Sequence, residues 1–361
     1  MRYGRTEART AYIEWAKLHA SAKYNLAASG VKGVPLSALP VRLEELELSA
    51  AGSYGYPPLL ERLAARYGVS TKNVVTAIGT SMANYLAMSA VLEPGDEVAI
   101  EDPAYEPMVE VGHYLGAVVK RVPRRPEYGW QVLIEDLEKV VSAKTRLIVL
   151  TNLHNPSGAL LDEATLRQIG EVAERVGARV MVDEVYLEVL FDRPFRSACQ
   201  LDETFLVTTS LTKAYGLSGL RCGWIVAAPE LCERMWHQND LFGNIPAHIT
   251  EALSVIALDH LDTIRALAKN LLERNGKLLD AFLTKHPELG VVRPPGGTIV
   301  FACVPGGDGD RFAEHLRDKY ETSVVPGRFF GMPGYIRIGI CNDTAEVDEG
   351  LKRLEQALRS I

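Results

Sequence analysis

The sequence predicts an α/β protein: a mostly parallel seven-stranded sheet flanked by helices, with a smaller α+β lobe beside it. Three observations carry the prediction. From about residue 50 to 230, short β-branched runs alternate with longer amphipathic stretches, the pattern of βαβ units. Most of these runs are continuously apolar, which suits strands covered on both faces rather than hairpins with one wet side. Finally, 361 residues with 47% apolar content are enough for a large core and a second lobe.

Taken in order, a helix around residues 7–22 opens the chain and is assigned to the smaller lobe. The candidate strands are "VVTAI" (74–78), "EVAIE" (97–101), "AVVKRV" (117–122), "RLIVLT" (146–151), "RVMVD" (179–183), "TFLVTT" (204–209) and "GWIVA" (223–227). Amphipathic stretches separate them. In "LDEATLRQIGEVAERVG", Asp162 can cap the first free N–H groups of a helix, and Gly177 can take the left-handed conformation that ends one. Residues 232–286 read as long helices, followed by "GVVRPPGGTIVFACV", "DRFAEHLRDKY", "YIRIGI" and the closing helix "TAEVDEGLKRLEQALRS". The expected division is a large domain over 46–275 and a small one built from 1–45 and 276–361. No internal repeat or low-complexity segment is visible.

Charge and composition exclude several classes. Lys plus Arg number 39 against 46 Asp plus Glu, a net charge of −7, and no long basic run offers a footprint for nucleic acid. The first thirty residues carry Arg9, Glu14, Lys17 and Lys23 in place of an apolar leader, and no uncharged run approaches a membrane span. A cytoplasmic protein that does not enter the membrane is expected. The five cysteines are odd in number and widely spaced, and the eight histidines show no ligand spacing, so neither a disulfide framework nor a metal site is expected.

The chemistry lies where the candidate strands end. In open α/β sheets, ligands collect at the carboxyl ends of the strands, and here those ends run into "GTSMAN", "DPAYEP", "NLHNPSG", "EVY" and "SLTKAYGLSGLR". The stretch "SLTKAYGLSGLRCGW" holds Lys213 and Arg221 but no acid, so their partners are distant in sequence or are not protein. Ser81, the N–H groups opening the helix after it, Ser210, Thr212 and Arg221 together suit a dianionic phosphate. Asp183 is an acid at the end of a buried strand that calls for a cation, Tyr105 offers a flat aromatic face, and Lys213 is the single amine. This set describes pyridoxal 5′-phosphate held as a Schiff base.

On "NLHNPSG", "DEVY", "SLTKAYGLSGLRCGW" and "YIRIG", in this order and spacing, the chain resembles the fold-type I pyridoxal-phosphate enzymes, in particular the class I/II aminotransferases. The resemblance covers nearly the whole chain and implies an aspartate aminotransferase-like fold. It implies that Lys213 binds the cofactor and shuttles the proton at Cα, that Asp183 keeps the ring nitrogen protonated, and that Asn155 and Tyr186 hold the ring's 3-oxygen. It further implies that Thr80, Ser81, Ser210, Thr212 and Arg221 contact the phosphate and that Tyr105 stacks on the ring. Arg337 would grip the substrate α-carboxylate, with Asn155 and Gly30 beside it. Tyr54 would reach the phosphate of a neighbouring subunit, so a homodimer with shared active sites is expected. The substrates would be an amino acid and a 2-oxo acid. No second arginine is identifiable for a dicarboxylic side chain.

Singly, each residue has an ordinary explanation: Ser81 and Ser210 as helix caps, "NPSG" as a bend, Tyr105 and Tyr186 as packing aromatics, Arg337 as the outer face of a strand. Their conjunction does not. Two other enzymes fit parts of the pattern. A C–S β-lyase uses the same scaffold, and "GTSMA" approaches the nucleophile elbow of an α/β-hydrolase with Ser81 as nucleophile. The hydrolase reading leaves Lys213 and Arg221 unexplained. A pyridoxal-phosphate-sensing regulator would need a DNA-binding head, for which there is little room before Tyr54.

Overall fold

The computed structural model describes residues 8–49, 53–192 and 195–360. Helix α1 (Ala11–Leu18) and the two-residue strand β1 (Tyr24–Asn25) precede α2 (Pro57–Tyr67), which starts on proline and stops at Gly68 in the left-handed region, φ 67°. The large sheet then alternates strand with helix: β2 (Val74–Ile78), α3 (Gly79–Ser89), β3 (Glu97–Asp102), α4 (Glu106–Tyr114), β4 (Val118–Pro123), α5 (Ile134–Val140), β5 (Thr145–Thr151), α6 (Glu163–Val176) and β6 (Arg179–Asp183). Strands β7 (Phe205–Ser210) and β8 (Cys222–Val226) complete it. All seven expected strands form, and α6 is capped by Asp162 and closed by Gly177 as expected.

The strand order is β2-β8-β7-β6-β5-β3-β4, and every pair is parallel except the two made by β8. The reason lies in the connection. Residues 211–221 between β7 and β8 hold only a 3₁₀ turn, and a parallel return needs a longer crossover, usually helical. Both faces of the sheet are covered. Leu147, Val149 and Met181 pack into one apolar cluster, while their neighbours Ile148, Leu150, Val180 and Val182 pack into another with α5 and α6. That period of two explains why the strands read as unbroken apolar runs.

Three helices follow, α7 (Pro229–Phe242), α8 (His248–Asp259) and the 25-residue α9 (Leu261–Lys285), which runs unbroken through the expected junction at 275. A four-stranded antiparallel sheet comes next. Its strands are β9 (Gly290–Val291), β10 (Ile299–Cys303), β12 (Val325–Pro326) and β13 (Tyr335–Gly339), in the order β12-β13-β10-β9. Helix α10 (Gly309–Tyr320), strand β11 (Thr322–Ser323) and helix α11 (Thr344–Leu358) complete this part.

The N-terminal segment is stitched to this second part. β1 pairs in parallel with β11, Tyr24 facing Thr322, and the Gly339 N–H donates to the Leu26 carbonyl at 2.7 Å. The two chains pass so closely that a Cβ on Gly339 would overlap the Ala28 carbonyl oxygen. Gly339→Ala should therefore lower stability by about 3 kcal/mol, because backbone on both sides must give way. Urea unfolding checks this; a loss under about 1 kcal/mol would mean that the strap relaxes freely.

Among the described residues, no helix is long and apolar enough to cross a membrane, and no cluster of three or more histidine, cysteine or acidic side chains could hold a metal ion. All five cysteines are free thiols; Cys222, Cys232 and Cys341 are buried, whereas Cys199 and Cys303 are half-buried.

Candidate active site

A cavity of about 220 Å³ opens at the carboxyl ends of the parallel strands. Its walls bring together Thr80, Ser81, Tyr105, Asn155, Asp183, Tyr186, Thr212, Lys213 and Arg221, nine residues expected from the sequence. Tyr12, Ile13 and Ala16 of α1, together with Ser29, Asn84, Thr151 and Val185, supply the rest of the lining.

One end of the cavity is built for an anion. Helix α3 begins there with Gly79, so the unsatisfied N–H groups of its first turn and the positive end of its dipole face the site. The Arg221 guanidinium lies against Gly79 where any side chain would collide, and its Nη2 donates to the Ile78 carbonyl at 3.3 Å. Among the described residues it makes no ion pair. Thr212 Oγ1 is buried without a partner. Ser210 departs from expectation. Its oxygen accepts from Thr80 Oγ1 at 2.8 Å and from the Thr212 N–H at 3.2 Å, so it stands behind the wall and ties α3 to the lysine loop.

Asp183 stands on the same wall. Its Oδ2 accepts from Asn84 Nδ2 at 2.9 Å and its Oδ1 from the Val185 N–H at 3.0 Å. Burial nevertheless pushes the carboxyl up to about 6, since those two donors do not replace lost water. Asn84 is fixed in turn by Thr208, whose Oγ1 donates to Asn84 Oδ1 at 2.5 Å. Asn84 was not expected from the sequence, yet a signal existed: it is a polar residue on the buried face of α3, one turn after Ser81. Burial also holds the Tyr105 phenol far above its ordinary range, with the Ser81 hydroxyl acting weakly in the other direction.

Lys213 lines the same cavity. Its Nζ donates to Ser29 Oγ at 3.2 Å, and the Tyr186 hydroxyl donates to the same oxygen at 2.9 Å. Ser29 was also not anticipated, and Gly30 does not line the cavity as expected. A Cβ on Gly30 would sit 3.2 Å from Lys213 Cδ, so the glycine lets the N-terminal segment lie against the lysine stem. The adjoining Val31 N–H donates to the Lys213 carbonyl at 2.8 Å.

Arg337 is 1% exposed and stands behind the wall rather than on it. Nη1 donates to Asn155 Oδ1 at 2.8 Å, and Nη2 donates to the Tyr12 hydroxyl at 3.0 Å and the Ala27 carbonyl at 3.1 Å. Its Nε is buried and unpartnered. Tyr54 lies outside the cavity of its own chain, half-exposed, with its ring 5.8 Å from Trp236 and its hydroxyl donating to Asp240 at 3.1 Å.

The floor is stiffened by a buried ion pair: Arg124 Nη1 to Glu101 Oε2 at 2.6 Å, with the Thr151 N–H donating to Glu101 Oε1 at 2.8 Å. His154 is committed to Ser157 at 2.6 Å and to the Pro103 carbonyl at 2.9 Å, and burial lowers its pKa well below the ordinary range. It is therefore no base for Ser81, and the hydrolase reading has no support.

Comparison with known proteins bears on the same site. A family model described as aminotransferase class I and II matches residues 44–354. The arginine–pyruvate transaminase of Pseudomonas aeruginosa is 31% identical over 83% of this chain and 80% of its own length. A probable aspartate/prephenate aminotransferase of Aquifex aeolicus is 28% identical over 88% of this chain and 86% of its own. Among solved structures, a PLP-dependent aminotransferase from Streptococcus suis superposes with a TM-score of 0.92 at 26% identity, covering 98% of both chains. A double mutant of Thermus thermophilus aspartate aminotransferase, 24% identical, covers 99% of this chain and 100% of its own with a TM-score of 0.88, which shows the shared fold. An anion cradle, a buried acid and one amine thus coincide with the family match, and the chain belongs to aminotransferase class I and II, the pyridoxal 5′-phosphate-dependent enzymes that move amino groups between amino acids and 2-oxo acids.

Proposed function

We propose that this cavity is where the chain carries out transamination, with Lys213 as the amine that binds the cofactor and moves the substrate proton. The carrying observation is that Lys213 is, among the described residues, the single amine on a wall that also holds a buried acid and an anion cradle. The residues fit the cofactor's two charged ends. Among the described residues Thr212 Oγ1 has no partner and Arg221 no ion pair, and both answer to a phosphate, with Thr80, Ser81 and the first turn of α3. Asp183, whose pKa burial raises to about 6, is a desolvated carboxylate that a neighbouring cation, such as a protonated ring nitrogen, would stabilise. When bound, pyridoxal 5′-phosphate supplies an electron sink for the charge left at Cα.

The remaining roles follow from position. Tyr105 offers its ring face, while Asn155 and Tyr186 provide the hydrogen bonds on the lysine side. Ser29 holds Lys213 Nζ at 3.2 Å and sets its aim until a substrate amine takes its place. Arg337, buried with no carboxylate partner among the described residues, is the natural counter-ion for a substrate carboxylate.

The division into domains 46–275 and 1–45 plus 276–361 remains our reading of the architecture, as does a cytoplasmic location, which suits free thiols. So does a homodimer. Ile78, Leu241 and Phe242 are 44%, 79% and 57% exposed near α7, an apolar face that a second copy would cover, bringing its Tyr54 to the anion end.

A screen of amino donors against the loaded protein tests the function. Each productive donor should release one equivalent of its 2-oxo acid in a single half-reaction, with no ammonia. Ammonia release with turnover would replace transamination by β-elimination.

A further inference from the structure

The roof of the cavity is α1, whose Tyr12 has no task in the function proposed above. Tyr12 is 8% exposed, lies on the cavity wall, and covers Arg337. Its oxygen accepts from Arg337 Nη2 at 3.0 Å. A phenol oxygen that accepts keeps its own hydrogen to donate, and no acceptor for that hydrogen exists among the described residues. The other partners of Arg337 are the neutral oxygens of Asn155 and Ala27, so a permanent cation is buried without a counter-ion among the described residues.

The hydroxyl is also held in place from behind. The Tyr12 ring meets Tyr105 edge-on, with centroids 5.8 Å apart and planes at 81°, and packs 5.8 Å from Phe329 and Phe330. The backbone N–H groups of Ala11 and Tyr12 donate to the Glu106 carboxylate at 3.2 and 2.5 Å, fixing the start of α1 to α4. A donor with a locked ring and a cation behind it, facing a cavity, is pre-organised for an anion.

We infer that Tyr12 is a substrate-binding residue that donates its phenol hydrogen to an oxygen of the substrate α-carboxylate, with Arg337 polarising it from behind. The inference rests on the proposed function, since it assigns the acid end of an amino acid to this side of the cavity.

Two small probes separate the carboxylate from the rest of the substrate. 2-Methylalanine has no Cα hydrogen and so cannot complete transfer, and isopropylamine is the same molecule without its carboxylate. Each is titrated against loaded wild-type protein and Tyr12→Phe, followed by visible absorbance. The substitution should weaken 2-methylalanine roughly tenfold to a hundredfold, as expected for a hydrogen bond to a charged group, and leave isopropylamine unchanged. Equal weakening of both probes would overturn the inference, because Tyr12 would then only shape the site. Unchanged or tighter binding of 2-methylalanine would overturn it too, by showing that the phenol merely occupies the carboxylate's place. A wild-type protein that answered to neither probe would bring down the proposed function as well, which distinguishes that failure from the other two.

Discussion

Lys213→Ala removes the visible absorption of the loaded protein and lowers kcat/KM by at least about four orders of magnitude. Among the described residues no other amine lines the cavity, so no neighbour is placed to take over the role proposed for Lys213. The fold should survive. Lys213 ties the N-terminal segment through its carbonyl, which accepts from Val31, and an alanine keeps that bond. Ser29 would lose only its contact with Nζ at 3.2 Å and retain Tyr186 at 2.9 Å. An unchanged spectrum with unchanged turnover would remove Lys213 from the chemistry altogether.

Asp183→Asn should lower kcat by about a thousandfold, near 4 kcal/mol, because a neutral amide cannot hold a proton on the ring nitrogen and the interaction takes place out of water. The same residue leaves a signature in the protein without cofactor. Its folded pKa, about 6, lies above the ordinary 3.8, so between these values the folded state binds more protons than the unfolded one. Stability is then level below about pH 4, falls as pH rises towards 6, and is level again above; two pH units correspond to roughly 3 kcal/mol. Glu184, raised by burial to about 7, acts with the same sign, so the contribution of Asp183 is the difference between wild type and Asp183→Asn. Urea unfolding at pH 4 and pH 7 measures it. Equal slopes in both proteins would place the titration elsewhere.

What the sequence disclosed divides along physical lines. The seven strands were legible because apolar runs covered on both faces leave nothing else for β-branched residues to do, and Asp162 and Gly177 marked α6 through local chemistry alone. Strand direction was less so, since β8 reads like its parallel neighbours, and only the absence of a helix in residues 211–221 betrays it. Residues at strand ends were legible because the end of a strand is a place as well as a composition. Ser29 and Tyr12 were not. They come from a segment brought to the site by pairing 298 residues away; nothing in "AYIEWAKL" points across such a distance, and in "LAASG" the resemblance singled out Gly30 and not its neighbour. Arg337 was found by its motif, but its place behind Tyr12 depends on a helix whose position no local pattern encodes.

The pairing of β1 with β11 also constrains when the protein can begin to work. Tyr24 leaves the ribosome long before Thr322 exists; at ordinary elongation rates of about 5–20 residues per second the wait is some tens of seconds. Until then Ser29 has only its contacts with Lys213 and Tyr186 to hold it beside the lysine, without the strand pairing that anchors its segment. A nascent chain whose large sheet is already synthesised therefore still lacks the pairing that anchors the roof, and that anchor is among the last parts of the fold to form.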